Sequence, residues 1–240
     1  IHPYVAIALE LKARGHSPVI ATSEVYREKM DVAGIEFRPI RPDMPSYDQP
    51  DELTKMATDL VDPKIGTEKV IGLFTKDLEP VYEGLYNATA DADLLLTHPL
   101  PLVGPIVAQM RKLRWASSVL SPLSLFSACD APVPPQLPSI RHVLKLSKTI
   151  TRLLIHIASY KLENMMAPVY SLRAKLGLPR GQNPLIGGQH SPELVLALFS
   201  SLFGPRQPDW PANVRVTGFA FYDKRESGFV NGLLDAIAKE

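Results

Sequence analysis

The chain holds a single cysteine, Cys129, in 240 residues, so no internal disulfide can form and a disulfide-held scaffold is excluded. A lone thiol suits a reducing compartment, and a cytoplasmic location is expected. No apolar run approaches the ~18 residues needed to cross a bilayer. The longer ones, such as 194–199, have strand length. An excess of one charge is also lacking: 26 Lys and Arg stand against 25 Asp and Glu, a formal net charge of +1. Nucleic acid is therefore not an expected partner, because its recognition needs a basic patch. The six histidines include no H-x-E or H-x-x-x-H pair, so no metal site is expected. There is no G-x-x-x-x-G-K-[ST] loop, and Gly187 and Gly188 precede a polar loop rather than a helix. No cofactor is expected to be bound by this chain alone.

Proline is what the chain has in excess: 23 residues, nearly twice the average share of about 5%. The prolines cluster in 38–50, 121–138 and 202–211, where they stiffen connections and exclude regular helix or central strand. Hydrophobic residues at 45% and charged residues at 21% suit a globular core between such loops.

Periodicity predicts a helix entered through Pro3 and capped by Gly15, a strand over 19–22, a helix over 24–33 stopped by Gly34, and a strand over 35–40. A long helix is expected over 67–90, a strand over 93–97, a helix over 103–112 and a strand over 115–120. Residues 139–176 read as helix in two pieces broken near Pro168, with Gly177 as a stop. Strands are expected over 194–199 and 214–217. Helix and β-branched run in alternation predict an α/β, Rossmann-like three-layer sandwich with a mainly parallel sheet. The first helix has no strand in front of it. A doubly wound unit begins with one, so a first strand is expected to be missing from the sequence.

Four segments carry a resemblance. The stretch from His2 to Ala8 with Leu11 to His16, the order Ala21-Thr22, Ala33 to Ile35 and Phe37 to Ile40, the runs DLLLTHPLPLVG (93–104) and SPLSLFSACD (121–130), and Gln189 to Pro192 with Val216 to Phe219 and Tyr222-Asp223, together resemble the UDP-glycosyltransferase superfamily. They are most similar to its bacterial and sterol glucosyltransferase-like branch. The resemblance implies one half of a GT-B fold: residues 1–223 as the N-terminal acceptor-binding domain, without a counterpart of the donor-binding domain. Residues 224–240 are then a linker or a terminal helix, with Phe229, Leu233, Leu234 and Ile237 on its apolar side. The implied reaction moves a hexose from a UDP- or dTDP-sugar to a hydroxyl of a small lipophilic acceptor such as a sterol, polyketide or lipid, with no metal ion. This chain alone is expected to be inactive. The other reading open is a non-catalytic small-molecule or lipid-binding module built on the same domain.

In that family the base follows the first strand, a position that falls just before Ile1. His2 is its neighbour, either part of the chemistry or a histidine at the rim of the cleft. His98 stands where a strand leaves the sheet, and α/β sheets bind ligands outside the carboxyl ends of their strands. Plant-type members carry an Asp here, so His98 either bonds the acceptor or the base, or simply caps the strand. With Leu100, Pro122, Leu123, Leu125 and Phe126 it makes the expected acceptor pocket, apolar walls with a few polar groups. Ordinary packing beneath a rigid loop is the other reading of 121–135. Cys129 lacks an activating neighbour in the sequence and is not expected to be a nucleophile. Finally, Arg141, Lys145, Lys148 and Arg152 recur at helical spacing opposite Val143, Leu146, Ile150, Leu153 and Ile157. Such a helix either contacts an anionic membrane, here the inner face, or packs one side and solvates the other.

Overall fold

A computed structural model describes residues 1–43, 50–62, 65–131, 133 and 139–222. The expected terminal helix, Asp223 and part of the proline-rich loop lie outside these residues. The order of elements is α1 (His2–Ala13), β1 (Val19–Thr22), α2 (Arg27–Ala33), β2 (Glu36–Pro39), α3 (Pro50–Val61), α4 (Gly66–Thr75), α5 (Leu78–Ala88), β3 (Leu94–Thr97), α6 (Gly104–Arg111), β4 (Arg114–Val119), α7 (Ile140–Leu146), α8 (Lys148–Glu163), α9 (Ala167–Lys175), β5 (Leu194–Ala197) and β6 (Val214–Val216). Every strand pair is parallel, β1 with β2 in one sheet and β3-β4-β5-β6 in a second.

Alternation along the strands builds the three layers. Ile20 joins Val5 and Ala8 of α1 and Met30 of α2, and Leu196 and Leu198 join Ala6 and Ile7. The next residues round, Ala21 and Leu95, face the opposite side with Trp115, Val81 and Leu85 of α5, Ile106 and Val107 of α6, and Val169 and Leu172 of α9. Helix α1 therefore packs on both sheets at once. Val195, Ala197, Phe199 and Val214 form a further core with Leu125 and Trp210. Full burial of side chains such as Val195 or Phe199 is worth roughly 1.5–3 kcal/mol each.

The expected strands and the first two helices are present to within a residue or three at their ends. Three helical expectations are corrected. The helix over 67–90 is two, α4 and α5, because Pro80 has no N–H and its ring excludes the carbonyl four residues back. It is tolerated instead in the first turn of a new helix, whose N-cap is Asp77. The helical stretch 139–176 is three helices, not two. Ser147 is extended at φ −157°, ψ 130°, and its Oγ accepts the Thr149 N–H at 3.2 Å, as an N-cap does. The break expected near Pro168 is present: a short 3-10 turn, Asn164–Met166, separates α8 from α9, and Pro168 lies in the first turn of α9. Helix α3 was not expected at all. Its signal is Pro50 followed by Asp51 and Glu52, a proline entry and a first-turn acidic pair.

Candidate functional site

The carboxyl ends of β3 and β4 meet beside the first turns of α1. Thr97 closes β3 and is buried, and its Oγ1 accepts the Trp115 indole N–H at 2.8 Å. Its carbonyl accepts the Ser118 hydroxyl at 2.9 Å. Ser118 Oγ also lies 2.8 Å from the Tyr4 hydroxyl, which ties α1 to β4. Burial pushes the Tyr4 phenol up to about 12, against the opposing hydrogen bond with Ser118, so it stays protonated. Helix α6 seats on the same residue: a Cβ on Gly104 would come within 2.7 Å of Thr97 Cγ2.

His98 follows Thr97 and sits edge-on to the Tyr4 ring, centroids 6.3 Å apart at 85°. Its Nδ1 accepts the Leu100 N–H at 3.2 Å. Burial pushes its pKa down to about 4. The imidazole is therefore neutral near pH 7, and because Nδ1 is an acceptor the proton belongs on Nε2. In this tautomer Nε2–H donates. It cannot take a proton from an acceptor hydroxyl, but it can hold an oxygen in place.

His2 stands apart from His98. It is exposed, stacks on Tyr222 at 6.0 Å and 17°, and its Nε2 faces the ammonium of Lys29. Desolvation, then the Lys29 charge, lower its pKa. With Nε2 taken by an ammonium donor, His2 sits at the rim without the free lone pair a base needs.

The expected acceptor residues divide into three places instead of lining one pocket. Leu100 is half-buried beside His98. Pro122 packs against Gly204, where a Cβ would fall 2.3 Å from its Cγ, and Leu123 beside it is 62% exposed. Leu125 is 3% exposed in the core, its carbonyl accepting the Trp210 indole N–H at 3.1 Å. Leu125 and Phe126 also wall a cavity of about 540 Å³ together with Arg152 and Ile155 of α8, Asp209 and Asn213. Ser191 and Asn213 of that lining precede β5 and β6, so the cavity opens toward the amino ends of those strands, and His98 is not part of it. The split has a topological reason. After β4 the loop turns back, pinned where Asp209 accepts Ser127 Oγ at 2.5 Å and the Ala128 N–H at 2.7 Å. Desolvation opposes it, but these bonds hold the Asp209 carboxyl below its usual range. His190, whose Nε2 lies 3.1 Å from the Ser124 carbonyl, was not singled out from the sequence; only its place in the matched Gln189 to Pro192 segment pointed there.

The basic row is also corrected. The extended Ser147 resets the helical phase, so Arg141 and Lys145 on α7 do not continue Lys148 and Arg152 on α8. Arg152 borders the cavity near Asp209. The Lys145 and Leu146 side chains lie outside the described residues. Among the described residues no group of three or more His, Cys, Asp or Glu could hold a metal ion, and no helix is long and apolar enough to cross a membrane.

No family model matches the chain. It is 24% identical over 248 aligned positions to the O-mycaminosyltylonolide 6-deoxyallosyltransferase of Streptomyces fradiae, an alignment that takes in 93% of this chain and 52% of that protein. Among solved structures it resembles the calicheamicin glycosyltransferase CalG4, with TM-score 0.56, 14% identity, 90% of this chain and 49% of the other. It also resembles the glycotransferase of kitacinnamycin, with TM-score 0.52, 16% identity, 95% of this chain and 50% of the other. The chain spans about half the length of the curated relative it matches. Its fold is that of one half of a glycosyltransferase of the GT-B type.

Proposed function

We propose that this chain is the acceptor-binding half of a nucleotide-sugar glycosyltransferase, and that its acceptor is a small lipophilic molecule of the polyketide class. One observation carries the reading: a half-buried, neutral His98 with Nε2–H as its donor, set at the carboxyl end of a parallel strand. The half-length match to a macrolide-modifying transferase supports it. In the reaction the acceptor O–H bond breaks, a C–O bond forms at the sugar's anomeric carbon, and the nucleoside diphosphate leaves. His98 orients the acceptor oxygen or the base that takes its proton. Leu100, half-buried beside His98, is an apolar contact for the acceptor body. A UDP- or dTDP-hexose, held by a C-terminal donor domain, supplies the sugar, and the setting is cytoplasmic.

Calorimetric titration of the folded chain with polyketide aglycones, sterols and lipid alcohols tests the acceptor. Binding of the first class, abolished or reduced in His98→Ala, is expected; silence from the whole panel would sink the assignment. Turnover is expected only with a donor domain present. A second reading, a small-molecule binding module, is favoured by the 540 Å³ cavity, which has the size of a ligand site and excludes His98. Ile155→Trp fills that cavity. If it removes aglycone binding while His98→Ala does not, the module reading replaces the first.

A further inference from the structure

Tyr4 bears on His98 by two routes. Its ring lies against the imidazole, centroids 6.3 Å apart at 85°, within the range of edge-to-face aromatic contact. Its hydroxyl lies 2.8 Å from Ser118 Oγ, and the chemistry fixes the direction of that bond. The Ser118 hydroxyl donates its one proton to the Thr97 carbonyl at 2.9 Å, so toward Tyr4 it can only accept. The order is therefore Tyr4 O–H to Ser118 Oγ–H to Thr97 C=O, a relay in which each bond polarises the next. That carbonyl belongs to the peptide bond joining Thr97 to His98. One side chain thus meets the imidazole at one end and the backbone entering it at the other.

The relay is dry, since Ser118 is fully buried and Thr97 is buried as well. The neighbours of Tyr4 on α1 that enter the core, Val5, Ala6, Ile7 and Ala8, are all aliphatic. Tyr4 is not itself an acid or base for the reaction: burial holds its proton up to about 12, so near neutral pH it neither gives nor takes one. What it can do is hold.

We infer that Tyr4 is a positioning residue for His98: its ring closes one side of the imidazole, and its hydroxyl, through Ser118, holds the Thr97–His98 peptide bond. With the Leu100 N–H on Nδ1, His98 is then restrained at its ring, its acceptor nitrogen and its backbone, and Nε2–H keeps one direction. A donor fixed beforehand loses less freedom on meeting an oxygen than one that swings. The consequence for the acceptor rests on the role given to His98 above; the restraint itself does not.

Nitrogen-15 NMR of the histidine side chains in the 240-residue chain tests the restraint, with His98 assigned as the signal lost in His98→Gln. The wild type is expected to show His98 fixed in the Nε2–H form with a pKa of about 4. Tyr4→Leu removes ring and hydroxyl together. The imidazole should then turn and meet water, so that its two nitrogen shifts converge and its pKa climbs toward the ordinary value of about 6.5. Tyr4→Phe keeps the ring and should retain most of the wild-type signature. In aglycone titrations Tyr4→Leu should weaken binding by roughly three- to tenfold, the scale of one hydrogen bond, with Tyr4→Phe close to wild type. Tyr4→Met, a flexible filler, takes the place of Tyr4→Leu should the latter not fold. A His98 tautomer and pKa unmoved in the folded Leu or Met variant overturns the inference, and an equal change in Tyr4→Phe overturns the part given to the ring. Silence of the whole aglycone panel with the NMR changes present would instead sink the acceptor reading and leave Tyr4 in its role.

Discussion

The behaviour of His98 turns on one backbone hydrogen bond. Because Leu100 N–H occupies Nδ1, the side chain is a donor at Nε2, and its replacements should rank by whether they keep a donor. In an active enzyme containing this half, His98→Ala is expected to lower kcat/KM by roughly 10- to 1000-fold. His98→Gln should retain part of that activity, and His98→Asp little, all at unchanged melting temperature. The same residue makes stability depend on pH. Its unfolded pKa is about 6.5 and its folded pKa about 4, so between them the unfolded chain holds the extra proton. Stability should fall as pH drops from about 6.5 toward 4 and level off above, by at most about 3 kcal/mol from this group. His190, also lowered by burial, adds in the same direction. Urea midpoints across that range should therefore flatten in part, not wholly, in His98→Gln. Two residues from His2, Tyr4→Phe should cost about 1 kcal/mol for the lost bond to Ser118, read from the same urea curves.

Elements join through contacts that a sequence pattern does not display. Gly104→Ala places a methyl against Thr97, which also holds the Trp115 indole. Helix α6 must then lift or β3 must shift, for about 1–3 kcal/mol lost in equilibrium unfolding. An unchanged midpoint would mean that the α6 entry is slack. Local chemistry was enough to read α1, α2 and their strands, since Pro3, Gly15 and Gly34 punctuate them and Gly34 takes the left-handed φ of 64° that its cap requires. The breaks at Asp77 and Ser147 were equally written in the chain, as a proline in a first turn and a serine cap, but apolar residues run through both and mask them. Helix α3 was hidden by the prolines around it. At this scale the errors come from weighing periodicity above punctuation.

For the whole molecule, the loop after β4 decides how the site is divided. Asp209 holds that loop back over the sheet, 82 residues along the chain from its partner Ser127. Asp209→Ala should loosen Leu125 and Phe126 and cost about 1.5–3 kcal/mol, the range for hydrogen bonds to a charged group. Thermal unfolding checks the cost, and faster amide exchange over 124–130 checks the place. The sequence by itself determined the α/β class, the parallel order of strand and helix, the position of His98 at a strand end and the family likeness, because each rests on neighbours a few residues apart or on an ordered set of short segments. Only the tertiary structure decided which nitrogen of His98 bears the proton, that His2 is occupied by Lys29, that Leu125 and Phe126 part from His98, and that Leu153 and Ile157 face outward. The His98 tautomer turns on the backbone path to Leu100, which residue types alone do not fix, and the others depend on contacts between segments 27 to more than 80 residues apart or on burial, which chain folding creates and local pattern does not encode.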